Sequence, residues 1–137
     1  MATIRKETLI EASPDRVWEA LRDVGALHTR LAPGFVTDTK LEPGARIVTF
    51  ANGMVVREQI VDVDDDSRRV AWSATGGALA HHNASAQAVA EGPRRTRFVW
   101  IADVLPHEVA PMVSAMIDAG LGAIRRHLEA EEAAARA

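Results

Sequence analysis

The chain opens on a strict alternation. From Thr3 to Ala12, Ile4, Lys6, Thr8 and Ile10 fall on one side and Arg5, Glu7, Leu9 and Glu11 on the other, a period of two that predicts a half-buried strand. Ser13-Pro14-Asp15 then has the chemistry of a helix start: a hydroxyl to cap free N–H groups, a proline suited to the first helical position, and an acid near the positive end. Val17, Leu21 and Val24 recur at i, i+4 and i+7 with Trp18 beside them, so this helix turns an apolar stripe to a core until Gly25 ends it. The pattern predicts a second short helix over Ala26–Ala32, stopped by Pro33-Gly34.

From Phe35 to Val104 the signals are those of β-structure. Asn52-Gly53 sits between Ile47-Val48-Thr49-Phe50 and Met54-Val55-Val56, which predicts a two-residue type I′ hairpin with Ala51 opposite Met54, Thr49 opposite Val56 and Ile47 opposite Glu58. In that register Met54, Val56 and Glu58 share one face, and Arg46, Phe50, Val55, Arg57 and Gln59 form the more polar one. A slip of one residue would turn Arg57 inward in place of Glu58. Asp64-Asp65-Asp66-Ser67 marks the next turn, Val70–Ala74 the next strand, and Gly76-Gly77 a flexible loop. Around Gly92-Pro93, Ala84 is set opposite Ala102, Ala86 opposite Trp100, and Ala88 opposite Phe98, small residues against large ones on one face. Asn83, Ser85, Gln87, Arg97 and Asp103 take the other, with Val99 and Ile101 out of pattern.

His107 to about Ala134 reads as one long helix, its apolar face made by Val109, Met112, Val113, Met116, Ile117, Gly120, Ile124 and Leu128. Pro106 and Pro111 make its first turn irregular, and the Ala-Glu-rich end from Glu129 to Ala137 is expected to fray. A strand, two helices, a run of antiparallel strands and a closing helix define an α+β fold, expected as a single domain over 1–137. Gly120 and Gly122 lie inside the long helix, Met112 and Met116 stand one turn apart, and alanines 84, 86, 88 and 102 leave the facing sheet shallow. These residues read either as the lining of unfilled volume or as plain core, because glycine also permits close packing.

The chain has 137 residues, 47 % apolar and 26 % charged, with a net charge of −3 from 19 acidic and 16 basic residues. That balance is ordinary for a globular protein and argues against nucleic acid as the partner, since phosphate binding requires a concentrated positive field. No apolar run is long enough to span a membrane, and no apolar signal core precedes the N-terminal charges, so a cytoplasmic location is the default expectation. Cysteine is absent, which excludes disulfides, thiolate metal sites and a cysteine nucleophile, and the absence of tyrosine excludes phenol acid–base chemistry.

Ile10-Glu11-Ala12-Ser13-Pro14-Asp15-Arg16-Val17-Trp18-Glu19-Ala20-Leu21 resembles the opening of the START-like superfamily, in its polyketide cyclase/dehydrase-related branch. His81-His82-Asn83-Ala84, Trp100-Ile101-Ala102-Asp103-Val104-Leu105-Pro106 and the C-terminal helix fit its later elements. The resemblance implies a helix-grip fold: a curved seven-stranded antiparallel sheet wrapped round the long helix, with a ligand cavity between them. It extends over nearly the whole chain in element order and selects no activity, since the superfamily includes carriers, receptors and aromatic cyclases.

The residues that could carry chemistry are few. Adjacent strand residues point to opposite faces, so His81 and His82 do not readily share a metal, and no metal or cofactor is expected. His82 falls on the Ala84/Trp100 face, where an imidazole could donate a hydrogen bond or move a proton; a polar strand end is the alternative. Glu58 would be a carboxylate in an apolar pocket and a candidate acid or base, against a solvated or salt-bridged strand residue. Asp103, which precedes Pro106 and the long helix, reads as structural, either orienting Asn83 or capping that end. The expected lining is Met54, Val56, Glu58, Trp72, His82, Ala84, Ala86, Phe98, Trp100, Met112, Met116 and Gly120. Three functions stay open: binding of a small hydrophobic molecule such as a lipid, polyketide or aromatic metabolite; a cyclase or dehydratase using His82 or Glu58; and a ligand-free interaction module closing a homodimer.

Overall fold

The structure is a computed structural model, and it describes residues 2–136. Strand β1 (Ala2–Ile10) leads into helix α1 (Pro14–Arg22), where the Ser13 hydroxyl accepts the Arg16 N–H at 3.2 Å and Val17, Trp18, Ala20 and Leu21 are buried. The second short helix spans Leu27–Leu31 with a wider turn than an α-helix, the Ala32 N–H reaching back to the Leu27 carbonyl at 2.9 Å. Six strands follow: β2 (Val36–Glu42), β3 (Ala45–Phe50), β4 (Val55–Asp64), β5 (Arg69–Thr75), β6 (His81–Ala90) and β7 (Thr96–Leu105). After a single tight turn at His107–Val109, helix α2 runs over Ala110–Arg136, about 40 Å at 1.5 Å per residue. No helix among the described residues is long and apolar enough to cross a membrane.

The seven strands form one antiparallel sheet in the order β1-β7-β6-β5-β4-β3-β2. Irregularities between Val36 and Asp38 and between Ile60 and Asp62 bend β2 and β4, as an unpaired extra residue does by kinking its strand and raising the twist. The curved sheet grips α2, which buries Ile117, Leu121, Ile124 and Leu128 against it. This is the helix-grip architecture.

Pairing in the last hairpin sets Ala84 opposite Ala102, Ala86 opposite Trp100 and Ala88 opposite Phe98, as the small-against-large pattern predicts. The β3–β4 hairpin differs from expectation by one residue. Its loop holds three residues, Ala51-Asn52-Gly53: the Phe50 N–H donates to the Met54 carbonyl at 2.8 Å, and Gly53 takes a φ of 89°. Opposite partners are therefore Val48 and Val56, Ile47 and Arg57, Arg46 and Glu58. Glu58 still faces inward, because its own strand parity is unchanged. Arg46, Val48 and Phe50 replace Ile47 and Thr49 on the inner face, a correction that brings an arginine into the interior.

The C-terminal end of α2 also departs from expectation. It stays helical to Arg136 because Glu132 is buried, accepts the Ser13 N–H, and lies 3.8 Å from Arg16 and 3.7 Å from Arg136. One carboxylate thus ties the last turns of α2 to the start of α1.

Candidate functional site

Between the concave face of the sheet and α2 lies a cavity of about 130 Å³. The sheet supplies Val56, Trp72, Ala74, Ala86, Phe98, Trp100 and Ala102; α2 supplies Met112, Val113, Met116, Ile117 and Ile124. Leu21, Leu27, Leu31, Ala32 and Phe35 close one end, with Phe50, Met54 and Leu79 completing the wall. Met54 and Met112 are 37 % and 46 % exposed and mark where the cavity meets solvent. The rings are held edge to face: Trp72 and Trp100 at 5.9 Å between centroids, Phe35 and Phe50 at 5.3 Å, the arrangement that aromatic quadrupoles favour.

Three ionisable side chains border this apolar space: Arg46, Glu58 and His82. Arg46 Nε donates to Glu58 Oε1 at 2.8 Å, and both side chains are almost wholly buried. Arg46 Nη1 donates to the Val24 carbonyl at 3.2 Å, and its guanidinium carbon lies 5.6 Å from the Trp72 ring centroid. The arginine is therefore oriented by a carboxylate, a carbonyl and an aromatic face.

His82 stands where the β5–β6 ladder ends. The last regular pair is Trp72 with Ala84; beyond it the Ala74 N–H donates to His82 Nδ1 at 3.0 Å, and the Ser73 hydroxyl donates to the His82 carbonyl at 2.5 Å. An imidazole accepting through Nδ1 carries its proton on Nε2. Burial pushes its pKa below the ordinary 6.5, and the neighbouring His81 adds to that effect. His82 is thus a neutral donor at neutral pH. His81 lies on the outer face, its Nε2 2.7 Å from Asn83 Oδ1. Asn83 and Thr3 in turn donate to Asp103 at 2.9 and 2.6 Å, holding its carboxyl below the usual range. Asp103 serves the sheet surface.

Of the residues expected to line a pocket, Met54, Val56, Glu58, Trp72, His82, Ala86, Phe98, Trp100, Met112 and Met116 border this cavity. Ala84 does not: it is buried within the sheet, paired with Trp72 and Ala102. Gly120 does not either: the Trp100 and Phe35 rings occupy the space that a side chain there would take. Sequence reasoning missed Arg46, Phe50, Phe35 and Leu79. Only the true β3–β4 register carries a signal for the first two. Among the described residues no three His, Cys, Asp or Glu side chains converge to hold a metal ion.

An open antiparallel sheet gripping a long C-terminal helix over an internal cavity is the START-like, helix-grip class. The chain belongs to the polyketide cyclase / dehydrase and lipid transport family, whose model matches residues 1–129. Its fold is shared by an uncharacterised protein of Bacillus thuringiensis (16 % identity, 91 % of this chain and 97 % of that one, TM-score 0.82). It is likewise similar to a START superfamily protein of Mycobacterium smegmatis (14 %, 97 % and 98 %, TM-score 0.71). The Zhui aromatase/cyclase of a Streptomyces species also superposes (19 %, 93 % and 93 %, TM-score 0.70). No curated protein matches the sequence.

Proposed function

We propose that this protein binds a small hydrophobic molecule in the cavity between its sheet and α2. The observation that carries this is unfilled interior volume, about 130 Å³, walled by aromatic and aliphatic side chains and interrupted only by Arg46, Glu58 and His82. Close-packed cores leave few voids larger than a water molecule, and apolar cavities of about 150 Å³ stay dry and take up benzene. Burial supplies affinity at roughly 25 cal/mol per Å² of apolar surface, and the few polar groups fix orientation. Molecules longer than a single ring would extend toward Met54 and Met112, where the cavity meets solvent.

Native mass spectrometry of gently purified protein, before and after organic-solvent stripping, tests this. A stoichiometric adduct lost on stripping supports it. A protein that shows no adduct and takes up no added apolar ligand refutes it.

A second reading, cyclase- or dehydratase-type turnover, is favoured by one observation: a neutral His82 whose Nδ1 accepts the Ala74 N–H keeps Nε2–H as a donor, able to hydrogen-bond a ligand carbonyl as negative charge develops on it. Glu58 is less suited to that role because its carboxylate is engaged by Arg46. His82→Phe should then impair turnover more than ligand uptake, read by chromatography of the extracted ligand because ring closure alone leaves its mass unchanged.

A further inference from the structure

The Arg46–Glu58 pair is joined through one of its two possible contacts. Arg46 uses Nε toward Glu58 and Nη1 toward Val24, and Glu58 uses Oε1. This leaves Arg46 Nη2 and Glu58 Oε2 outside the hydrogen bonds among described residues. The buried side-chain polar atoms sealed without a partner are Arg16 Nε, His28 Nδ1, Thr39 Oγ1 and His127 Nε2. Nη2 and Oε2 are not among them. Neither atom is sealed, and the cavity is the open volume that Arg46 and Glu58 border. A donor and an acceptor thus stand together in a wall that is otherwise almost entirely apolar.

Charge decides which ligand group suits them. The guanidinium and carboxylate neutralise each other at 2.8 Å. An anionic ligand would gain little from a cation already paired and would meet the Glu58 carboxylate; a cationic ligand would meet Arg46 in the same way. A neutral group that donates to Oε2 and accepts from Nη2 satisfies both atoms at once. Size sets the remainder of the molecule, since about 130 Å³ is close to the space that accepts one benzene ring. Resting on the cavity function proposed above, we infer that the occupant is a neutral single-ring molecule whose one polar group both donates and accepts, as a phenol hydroxyl does, and that Arg46 and Glu58 select it.

The test is calorimetric or NMR titration of the whole protein with benzene, phenol and benzoate at neutral pH. Phenol is expected to bind at least about tenfold more tightly than benzene, which corresponds to about 1.4 kcal/mol, and benzoate more weakly than phenol. In the double variant Arg46→Met/Glu58→Met the ratio of phenol to benzene affinity should fall to about one. Equal affinities for benzene and phenol in the wild type overturn the selection by Arg46 and Glu58 while leaving the cavity function standing. Benzoate binding best overturns the neutral class. Binding of none of the three overturns this inference, and native mass spectrometry that also shows no adduct and no uptake of any added apolar ligand overturns the cavity function with it. The wild-type ranking decides the matter even where the double variant folds poorly.

Discussion

Removing one member of the Arg46–Glu58 pair should be far more damaging than removing both. In Glu58→Met the guanidinium keeps its charge, since arginine is not deprotonated in proteins, and it is left in a site where its side chain is only 6 % exposed. Breaking a buried pair in this way costs about 3–5 kcal/mol, whereas replacing both partners by apolar groups of similar volume is often neutral. Arg46→Met strands the carboxylate and also takes away the donor to the Val24 carbonyl at 3.2 Å, a further loss of about 1–3 kcal/mol if that oxygen finds no other partner. The double variant keeps only this last loss and that of the contact over Trp72, at 5.6 Å, worth about 1 kcal/mol. Its total deficit should therefore be about 1–4 kcal/mol, against about 3–5 kcal/mol for Glu58→Met and about 4–9 kcal/mol for Arg46→Met, which carries the same two losses on top of the stranded carboxylate. The losses shared by Arg46→Met and the double variant cancel, so the cycle yields a coupling of about 6 kcal/mol or more. Urea unfolding of the four proteins measures it: with a slope of about 1–3 kcal/mol per molar, Arg46→Met should fall below the double by at least roughly a molar in midpoint. Additive losses, with a coupling under about 1 kcal/mol, would refute the claim that these charges act as a desolvated pair.

Three further outcomes follow from the same geometry. His82 is held below its ordinary 6.5, chiefly by burial, so the folded state rejects a proton that the unfolded chain accepts. Its stabilising contribution is full above that value and is lost as pH falls through 6.5 toward the folded pKa. Urea midpoints at pH 7.5 and 5.5 should therefore drop more for the wild type than for His82→Gln, and equal drops would contradict it. Glu132→Ala leaves the Ser13 N–H without its acceptor and Arg16 and Arg136 without their carboxylate, so thermal unfolding should show a loss of about 1–3 kcal/mol. In Gly120→Ala the new methyl would lie 2.8 Å from Trp100 Cζ3 and 3.1 Å from Phe35 Cε2. The helix-propensity gain of about 1 kcal/mol is then offset by displacement of Trp100 into the cavity, and benzene uptake should weaken measurably in a titration.

Much of this architecture was legible from side-chain alternation. The β6–β7 pairing is recorded in the alanines at 84, 86 and 88 and in Phe98, Trp100 and Ala102, because a one-residue slip would place rings in solvent on one strand and methyls on the other. The Ser13-Pro14-Asp15 start of α1 was equally plain, since capping chemistry is local. The β3–β4 register was not, and the reason is physical. Asn52-Gly53 supports both a two-residue and a three-residue loop, because Gly53 adopts its φ of 89° without strain in either. That one residue decides whether Ile47 or Arg46 turns inward, and an arginine on a strand is expected in solvent until its buried partner, Glu58, is seen across the ladder. Glu132 was hidden for a related reason: an alanine- and glutamate-rich tail reads as frayed until a tie to Ser13, 119 residues earlier in the chain, holds it.

Diffraction from crystals soaked in bromobenzene tests the central claim, that the space between sheet and helix is open to an apolar guest. The account predicts an anomalous bromine peak within the cavity bordered by Trp72, Trp100, Met116 and Ile117, with the sheet and α2 unmoved. A cavity without bromine, its volume filled by rotated Trp100 or Met116 side chains, would contradict it.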